Sequence, residues 1–105
     1  MILVENVFGV RLRQARKKLG ITQEELAVRA GIDETTASPR ISQYENGKHA
    51  PSYEIARNLA KALHLEVEYL YAPDDRSAEL LWFWSGLKDA QRESLLERVK
   101  AEAGI

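Results

Sequence analysis

Three observations in the sequence predict an all-α fold. Apolar residues recur at spacings of three and four positions along most of the 105 residues, which is the periodicity of amphipathic helices. Residues that start or end helices, such as Thr22 and Gly31, stand between these segments. No polar–apolar alternation is long enough to predict a strand. The length is that of one ordinary domain, which excludes a two-domain enzyme.

The first two helices are predicted between Phe8 and Gly31. The first ends at Gly20, and one of its faces is apolar. That face consists of Phe8, Leu12, Ala15 and Leu19. The second begins at a capping box formed by Thr22 and Glu25 and ends at Gly31. Its inward residues are Leu26, Ala27 and Ala30. Because this helix has only about nine residues, it must pack on the rest of the chain.

A third helix is predicted to begin at Ser38, which caps it, with Pro39 at the first helical position. It ends at Asn46-Gly47. Ser52 caps a fourth helix, whose apolar residues share one face. They are Ile55, Ala56, Leu59, Ala60 and Leu63.

The last three predicted helices lie on either side of a break in composition at Pro73-Asp74-Asp75. A short fifth helix covers about Val67–Tyr71, a sixth covers residues 77–85, and a seventh runs from Asp89 to Ala103. One face of the seventh carries Leu95, Leu96, Val99 and Ala103. The break separates a five-helix unit, residues 1–73, from a two-helix tail, residues 74–105.

Composition and charge limit the classes of protein to which this chain could belong. The absence of cysteine excludes disulfides and thiolate metal sites and favours a cytoplasmic protein. The longest apolar run, Leu80–Trp84, is far shorter than the ~18–20 residues that span a bilayer, so we expect a soluble chain without a membrane partner. Residues 8–64 carry a net charge of +4 and residues 65–105 a net charge of −4. The basic front favours a polyanionic partner, with random scatter of surface charge as the alternative.

Three segments of the chain, in this order, resemble those of a known family. They are FGVRLRQARKKLGITQEELAVRAGI, ISQYENGKHAPS and ARNLAKALHLEVEYLY. They combine a short helix, a glycine, a loop and a second short helix that ends in Glu-x-Gly. Residues 8–72 thus resemble the Cro/phage-repressor type (Xre-like) helix-turn-helix family. The resemblance implies a five-helix lambda-repressor-like DNA-binding domain. It also implies a transcriptional regulator, expected to be a repressor, that reads a double-stranded DNA operator without a cofactor.

The third helix would read the DNA bases. At about 100° per residue, Ile41, Tyr44 and Glu45 fall on one face, and Gln43 and Arg40 fall outside it. Glutamine pairs bidentately with adenine, and arginine pairs with guanine or phosphate. The predicted base contacts are Thr36, Ser38, Pro39, Arg40 and Gln43. Any surface helix has a polar outer face, so this prediction depends on the flanking motifs.

Glu45 faces inward and needs a cationic partner, because an unpaired buried carboxylate is very unfavourable. The resemblance implies that Arg16 is this partner, in a structural ion pair. It also implies that Gln23, just inside the second helix, contacts a backbone phosphate. The full set of predicted phosphate contacts is Thr22, Gln23, Asn46 and Lys48, with plain surface exposure as the alternative for each.

One spacing departs from the family. Gly31 and Glu45 are fourteen positions apart, about four more than the resemblance implies. The extra residues, within 32–38, either lengthen the third helix by a turn or form a loop. Pro39 favours the loop, because a proline inside a helix costs roughly 3 kcal/mol. Thr35, Thr36 and Ser38 therefore become candidate DNA contacts.

No pattern supports catalysis. His49 and His64 are fifteen positions apart and are the only histidines. The sequence has no cysteine, no HExxH pair and no phosphate-binding glycine loop. We expect neither a metal site nor an enzyme.

The tail predicts a protein interface. Residues Leu80, Leu81, Trp82, Phe83 and Trp84 are apolar nearly all round a helix, so one core cannot cover every face. Because a lone helix-turn-helix reads half a site, a C-terminal helical hairpin that forms a homodimer would suit this function. Two alternatives stay open. The tail could fold over the first five helices, or the chain could be an antitoxin-like module that binds a small partner protein.

Overall fold

The computed structural model describes residues 6–33, 35 and 37–105; for residues 37 and 38 it describes the backbone only. Within these residues there are six α-helices and one short 3₁₀ helix, and no strand. The elements are α1 (Val7–Lys18), α2 (Gln23–Arg29), α3 (Ala37–Glu45), α4 (Tyr53–Ala62), the 3₁₀ helix (Val67–Tyr71), α5 (Asp75–Ser85) and α6 (Asp89–Ala103). The predicted all-α fold is confirmed.

The first helix follows the predicted apolar face except at its end. Leu12 and Ala15 are fully buried, and Phe8 is half-buried. Leu19 is 41% exposed, so its predicted inward position was wrong. Leu19 is the C-cap of α1, directly after its last helical residue, Lys18, and the chain turns away from the helix at the next residue, Gly20, which has a φ of +69°.

The second helix begins and ends as predicted. The Thr22 hydroxyl accepts a hydrogen bond from the Glu25 N–H at 3.0 Å, and the Glu25 carboxylate accepts one from the Thr22 N–H at 3.4 Å. This reciprocal capping satisfies two backbone donors at the start of α2. Gly31 has a φ of +78°, a left-handed conformation that favours glycine and ends the helix.

The third helix starts earlier than the sequence predicted. It begins at Ala37, so Ser38 and Pro39 both lie in its first turn and the predicted cap at Ser38 was wrong. A proline is tolerated there because the first N–H groups of a helix have no intrahelical acceptor. With α2 ending at Arg29, the described residues 32, 33 and 35 lie between the two helices, whereas residues 37 and 38 belong to α3.

The start of α1 lies directly against the end of α3. A Cβ on Gly9 would fall 2.5 Å from the carbonyl oxygens of both Tyr44 and Glu45. Asn6, the N-cap of α1, accepts a hydrogen bond from the Gly9 N–H at 3.2 Å. Its amide also donates to the Glu45 carbonyl oxygen at 3.0 Å. Only glycine at position 9 allows the two backbones to come this close.

One core joins α1 to α5. The 3₁₀ helix contributes Tyr69 and Leu70 to it, and α4 contributes Leu59 and Ala60. The helix α5 adds Ala78, which is 4% exposed. The N-terminal unit and the first helix of the tail therefore share their apolar interior.

The segment Pro73–Asp75 connects the two parts of the chain. The helix α5 begins at Asp75, two residues before the predicted start, and is capped by Asp74. The Asp74 side chain accepts hydrogen bonds from the N–H and hydroxyl of Ser77, both at 2.9 Å. These bonds, the backbone one first, lower the pKa of Asp74.

Arg11 of α1 contacts the same segment. It is only 2% exposed and donates to the Ala72 carbonyl oxygen at 2.8 Å and to Asp75 at 3.1 Å. These two contacts of Arg11 thus attach the Pro73–Asp75 segment to α1.

The last helix stands apart from this core. Its bounds, Asp89–Ala103, match the prediction, but none of its residues is buried. The molecule measures 52 × 29 × 24 Å, and a helix of 15 residues is about 22 Å long. The length of the molecule is consistent with α6 extending from the body.

The contact at Gly9 can be tested with a glycine-to-alanine pair. Gly9→Ala should lower the free energy of unfolding by about 1–3 kcal/mol, because the new methyl group overlaps two backbone carbonyls. Gly86→Ala is the matched control, since its Cβ would meet the Phe83 carbonyl oxygen at an ordinary 3.6 Å. Urea denaturation of both variants measures the difference. Equal stability of the two variants would contradict the close approach.

Candidate nucleic-acid interface

The helix α3 has one face in the core and one outside it. Ile41 is fully buried and Tyr44 is 3% exposed. Pro39 and Arg40 are exposed, and Gln43 is half-buried. The division agrees with the angular positions of these residues at 100° per residue. The side chains of Arg40, Ser42 and Gln43 are therefore described polar groups of α3 that lie outside the core, and Arg40 and Gln43 are the longer two.

Three side chains form a buried network behind this helix, here called the Glu45 network: Arg16, Gln23 and Glu45. Arg16 donates from Nε to Glu45 Oε2 at 2.6 Å and from Nη2 to Glu45 Oε1 at 3.1 Å. The Gln23 amide donates to the same Oε1 at 3.1 Å. Arg16 also donates from Nη1 to the Ile21 carbonyl oxygen at 3.0 Å. The network joins α1, the first residue of α2 and the last residue of α3.

The ion pair of the Glu45 network is largely buried, and its polar groups are well paired. The Arg16 side chain is 12% exposed and that of Glu45 is 6% exposed. A buried ion pair is stable only when its geometry is good and its remaining groups are hydrogen-bonded. Here the pair is bidentate, and the Gln23 and Ile21 contacts engage further polar groups. The Arg16–Glu45 pair is present as expected, whereas the Gln23 contact was not predicted.

The residues predicted to contact phosphates lie at the two ends of this region. Thr22 and Gln23 are at the start of α2, and Asn46 and Lys48 follow α3. The Asn46 side chain accepts a hydrogen bond from the Lys48 N–H at 3.1 Å. The Lys48 N–H also donates to the Gln43 carbonyl oxygen at 3.0 Å. The Thr22, Asn46 and Lys48 residues are exposed, so a backbone phosphate could reach them.

The longer connection between α2 and α3 is described in part. Thr36 lies outside the described residues, and so does the side chain of Ser38. Thr35 is exposed and donates to Asp33 Oδ1 from its hydroxyl at 2.7 Å and from its N–H at 2.8 Å. These hydrogen bonds, the side-chain one first, lower the pKa of Asp33. A compact turn thus precedes α3, with a negative charge at its start.

Two further sets of contacts were not predicted from the sequence. Asn6 bonds the carbonyl of Glu45, and Arg11 is buried beside Ala72 and Asp75. An asparagine three positions before Gly9, ahead of an apolar helix, is a recognisable N-cap signal. Nothing local distinguishes Arg11 from the exposed basic residues around it. Its guanidinium donates to the Gln14 side chain one turn away at 2.9 Å, but its other two partners, Ala72 and Asp75, lie 61 and 64 positions away.

The five apolar residues predicted as a dimer interface separate into two groups. Leu81 and Trp82 pack against the core. Leu80 is 60% exposed and Phe83 is 64% exposed. Trp84 is half-buried, with the Arg92 guanidinium 4.9 Å from its ring centroid. The outer face of α5 is therefore the part of this segment that the described residues leave exposed.

Neither a membrane helix nor a metal cluster appears in the described part of the chain. None of its helices has both the length and the hydropathy that crossing a bilayer requires. Among the same residues, no three His, Cys, Asp or Glu side chains are grouped as metal ligands. His49 and His64 are both exposed and separate.

The region that contains α1 to the 3₁₀ helix is similar to known sequences. A family model described as helix-turn-helix covers residues 12–70. A protein of Methanothermobacter thermautotrophicus, named as an uncharacterized HTH-type transcriptional regulator, is 39% identical over 69 residues. The match covers 65% of this chain and 94% of that protein.

Two solved structures are also similar. The transcriptional regulator BswR has a TM-score of 0.80 and 35% identity, and the match covers 89% of this chain and 92% of BswR. The P22 c2 repressor protein, solved in complex with synthetic operator 9T, has a TM-score of 0.53 and 36% identity. That match covers 61% of this chain and 91% of the repressor. The similarity to BswR thus extends beyond the region that the family model matches.

Removing the acid of the Glu45 network should destabilise the fold. Glu45→Ala should lower the free energy of unfolding by about 3 kcal/mol, because the Arg16 guanidinium then stays buried without its partner. Chemical denaturation followed by circular dichroism measures this loss. Glu24→Ala is the control, because Glu24 is exposed on α2 and should change stability by less than about 0.5 kcal/mol. Similar stabilities for the two variants would rule out a stabilising pair.

Proposed function

The chain belongs to the helix-turn-helix family, and we propose from this premise that it is a DNA-binding repressor of transcription that acts as a homodimer. Its relatives carry the names of transcriptional regulators. The fold is that of lambda-repressor-like regulators rather than of an enzyme. Repression would follow from occupancy of an operator, which excludes other proteins from the same DNA.

The observation that carries this proposal is the fixed position of α3. Its inner residues are buried, and the Glu45 network attaches its last residue to α1 and α2. Its outer residues, Arg40 and Gln43, remain free of the core. A helix fits the major groove of B-DNA, where glutamine and arginine side chains recognise base edges. We assign base contacts to Arg40, Gln43, Pro39 and the adjoining Ser38 and Thr36.

Phosphate contacts would position the protein without reading sequence. Candidates are Thr22 and Gln23 on one side of α3, and Asn46 and Lys48 on the other. The contact with Glu45 fixes the position of the Gln23 amide relative to α3. The net charge of +4 on residues 8–64 favours binding to the DNA backbone.

The tail supports the homodimer. Leu80 and Phe83 on α5 are 60% and 64% exposed, and Leu96 and Val99 on α6 are 42% and 54% exposed. Arg92 joins α6 to Glu66 and Trp84, but no residue of α6 is buried, and a helix of about 15 residues that buries no apolar face is only marginally stable in water. A second copy supplies the same apolar faces in a symmetric arrangement. It also supplies the second recognition helix that a two-fold symmetric operator requires.

The same exposed tail favours one other candidate function. An antitoxin-like module would use these apolar residues to bind a different small protein. The two functions predict different outcomes when the chain is purified from its native cell. A homodimer elutes alone, whereas an antitoxin-like module elutes with a second small protein in a fixed ratio.

Two glutamine variants separate base reading from phosphate contact. Gln43→Ala should weaken binding to the best operator by about 1–3 kcal/mol and relax the preference at one base pair per half-site. Gln23→Ala should weaken binding to all sequences by a similar factor, because a phosphate contact carries no base information. The measurement is the affinity of each protein for a panel of operators that differ by single base pairs.

The same panel tests the geometry of the operator. The two half-sites should be centred about one helical turn apart, or a multiple of it. If Gln43→Ala leaves the preference profile unchanged, Gln43 does not read a base, and Arg40 and Thr36 are the next residues to test.

The dimer proposal can be tested on the exposed face of α5. The double substitution Leu80→Ser and Phe83→Ser should convert the dimer to a monomer, because it removes apolar area that the folded chain itself leaves in water. Sedimentation velocity at tens of micromolar measures this change. The control is Val28→Ser, a 51% exposed residue on α2, which should remain dimeric. A wild-type chain that is monomeric at high micromolar concentration contradicts the proposal.

A further inference from the structure

A cavity lies between α1, the 3₁₀ helix and α5, away from the residues assigned to DNA. It has a volume of about 590 Å³, within the range of about 300–1,000 Å³ that small-molecule sites occupy. The α1 side is formed by Arg11, Gln14, Lys17 and Lys18. The α5 side is formed by Asp75, Ala78, Glu79 and Trp82. The cavity thus lies between packed helices, a place where ligand sites occur.

The cavity carries unpaired positive charge. Arg11 and Asp75 neutralise each other through their 3.1 Å ion pair. Lys17, Lys18 and Glu79 form no ion pair with any residue that the structure describes. The two lysines outweigh the single glutamate, so the lining has a net charge of +1, although the whole chain has a net charge of −1. A negatively charged ligand group is therefore favoured on the α1 side.

Arg11 adds a second, independent reason for an anion. Its Nη2 atom is buried and has no hydrogen-bond acceptor among the described residues. A buried guanidinium nitrogen without an acceptor is unfavourable. Negative charge in the adjoining cavity would stabilise this group through space.

The floor of the cavity is apolar and aromatic. Ala78 is 4% exposed and Tyr69 is 2% exposed. The Tyr69 and Trp82 rings meet edge to face with centroids 5.6 Å apart. The Lys18 Nζ atom lies 4.5 Å from the Trp82 ring centroid. An ammonium group is thus held directly beside apolar surface.

From this arrangement we propose that the cavity binds a small organic carboxylate with an apolar body. The carboxylate pairs with Lys18 and Lys17, and the apolar body packs on Ala78 and Trp82. Such a ligand contacts α1 and α5 at once, so it stabilises one orientation of the tail against the N-terminal unit. The site is independent of the proposed DNA contacts, because none of its residues belongs to α2 or α3.

Fluorescence of Trp82 provides a direct test in the full-length chain. The variant W84F leaves Trp82 as the single tryptophan. Titration with benzoate should change the Trp82 emission with a saturable curve. Acetate has the charge without the ring, and benzyl alcohol has the ring without the charge. Both should bind at least about tenfold more weakly than benzoate, because each lacks one of the two contacts. Absence of a saturable change with benzoate up to 20 mM overturns the proposal.

Charge variants in the W84F chain identify the site. Lys18→Met should weaken benzoate binding about tenfold, since it removes a charged partner, whereas Lys61→Met on α4 should leave it unchanged. Glu79→Gln should strengthen binding, because it removes a like charge at the cavity. This gain cannot arise from damage to the fold. Equal effects of the two lysine variants, or weaker binding by Glu79→Gln, would overturn the proposal. DNA is absent throughout, so the outcome does not depend on the proposed function.

Discussion

The buried carboxylate of Glu45 determines how the N-terminal helices are arranged. A negative charge with a 6% exposed side chain must have a cationic partner and further hydrogen bonds. Arg16 and Gln23 meet this requirement, which fixes the distance of both α1 and α2 from the end of α3. The backbone carbonyl of the same residue bonds Asn6 and lies against Gly9. Side chain and main chain of one residue therefore hold three helices in a single geometry, and the outward face of α3 depends on it.

Local signals were sufficient to predict most of the helices. Capping side chains and left-handed glycines mark their ends, so α2 and α6 have nearly the predicted bounds. The inward position of Glu45 followed from helical periodicity alone, whereas its partner Arg16 came from the family resemblance. The Gln23 and Arg11 contacts could not be predicted, because they join residues 22 and more than 60 positions apart. Hydrogen bonds over such distances leave no periodic trace in the sequence.

The covered side of α5, in the tail, could not be predicted from the sequence. Periodicity reveals that residues 80–84 carry more apolar surface than one core can cover. It cannot tell which side of α5 is covered, because that depends on where the core lies. The fold resolves this: Leu81 and Trp82 face the core, and Leu80 and Phe83 face outward. The outward pair is the basis for the proposed dimer, whereas the sequence predicted all five residues of this segment as its interface.

The helix α1 connects the proposed functions through two of its faces. Arg11 and Arg16 are five positions apart and thus differ by about 140° around the helix. Arg16 binds Glu45 of α3, whereas Arg11 binds Ala72 and Asp75 at the start of the tail. The two contacts share no residue, so a shift of α5 against α1 would leave the Glu45 network intact. In the proposed dimer, the proposed ligand between α1 and α5 would therefore fix the relative position of the two recognition helices, and each helix would keep its own orientation. It would act on the spacing of half-sites rather than on the reading of individual bases.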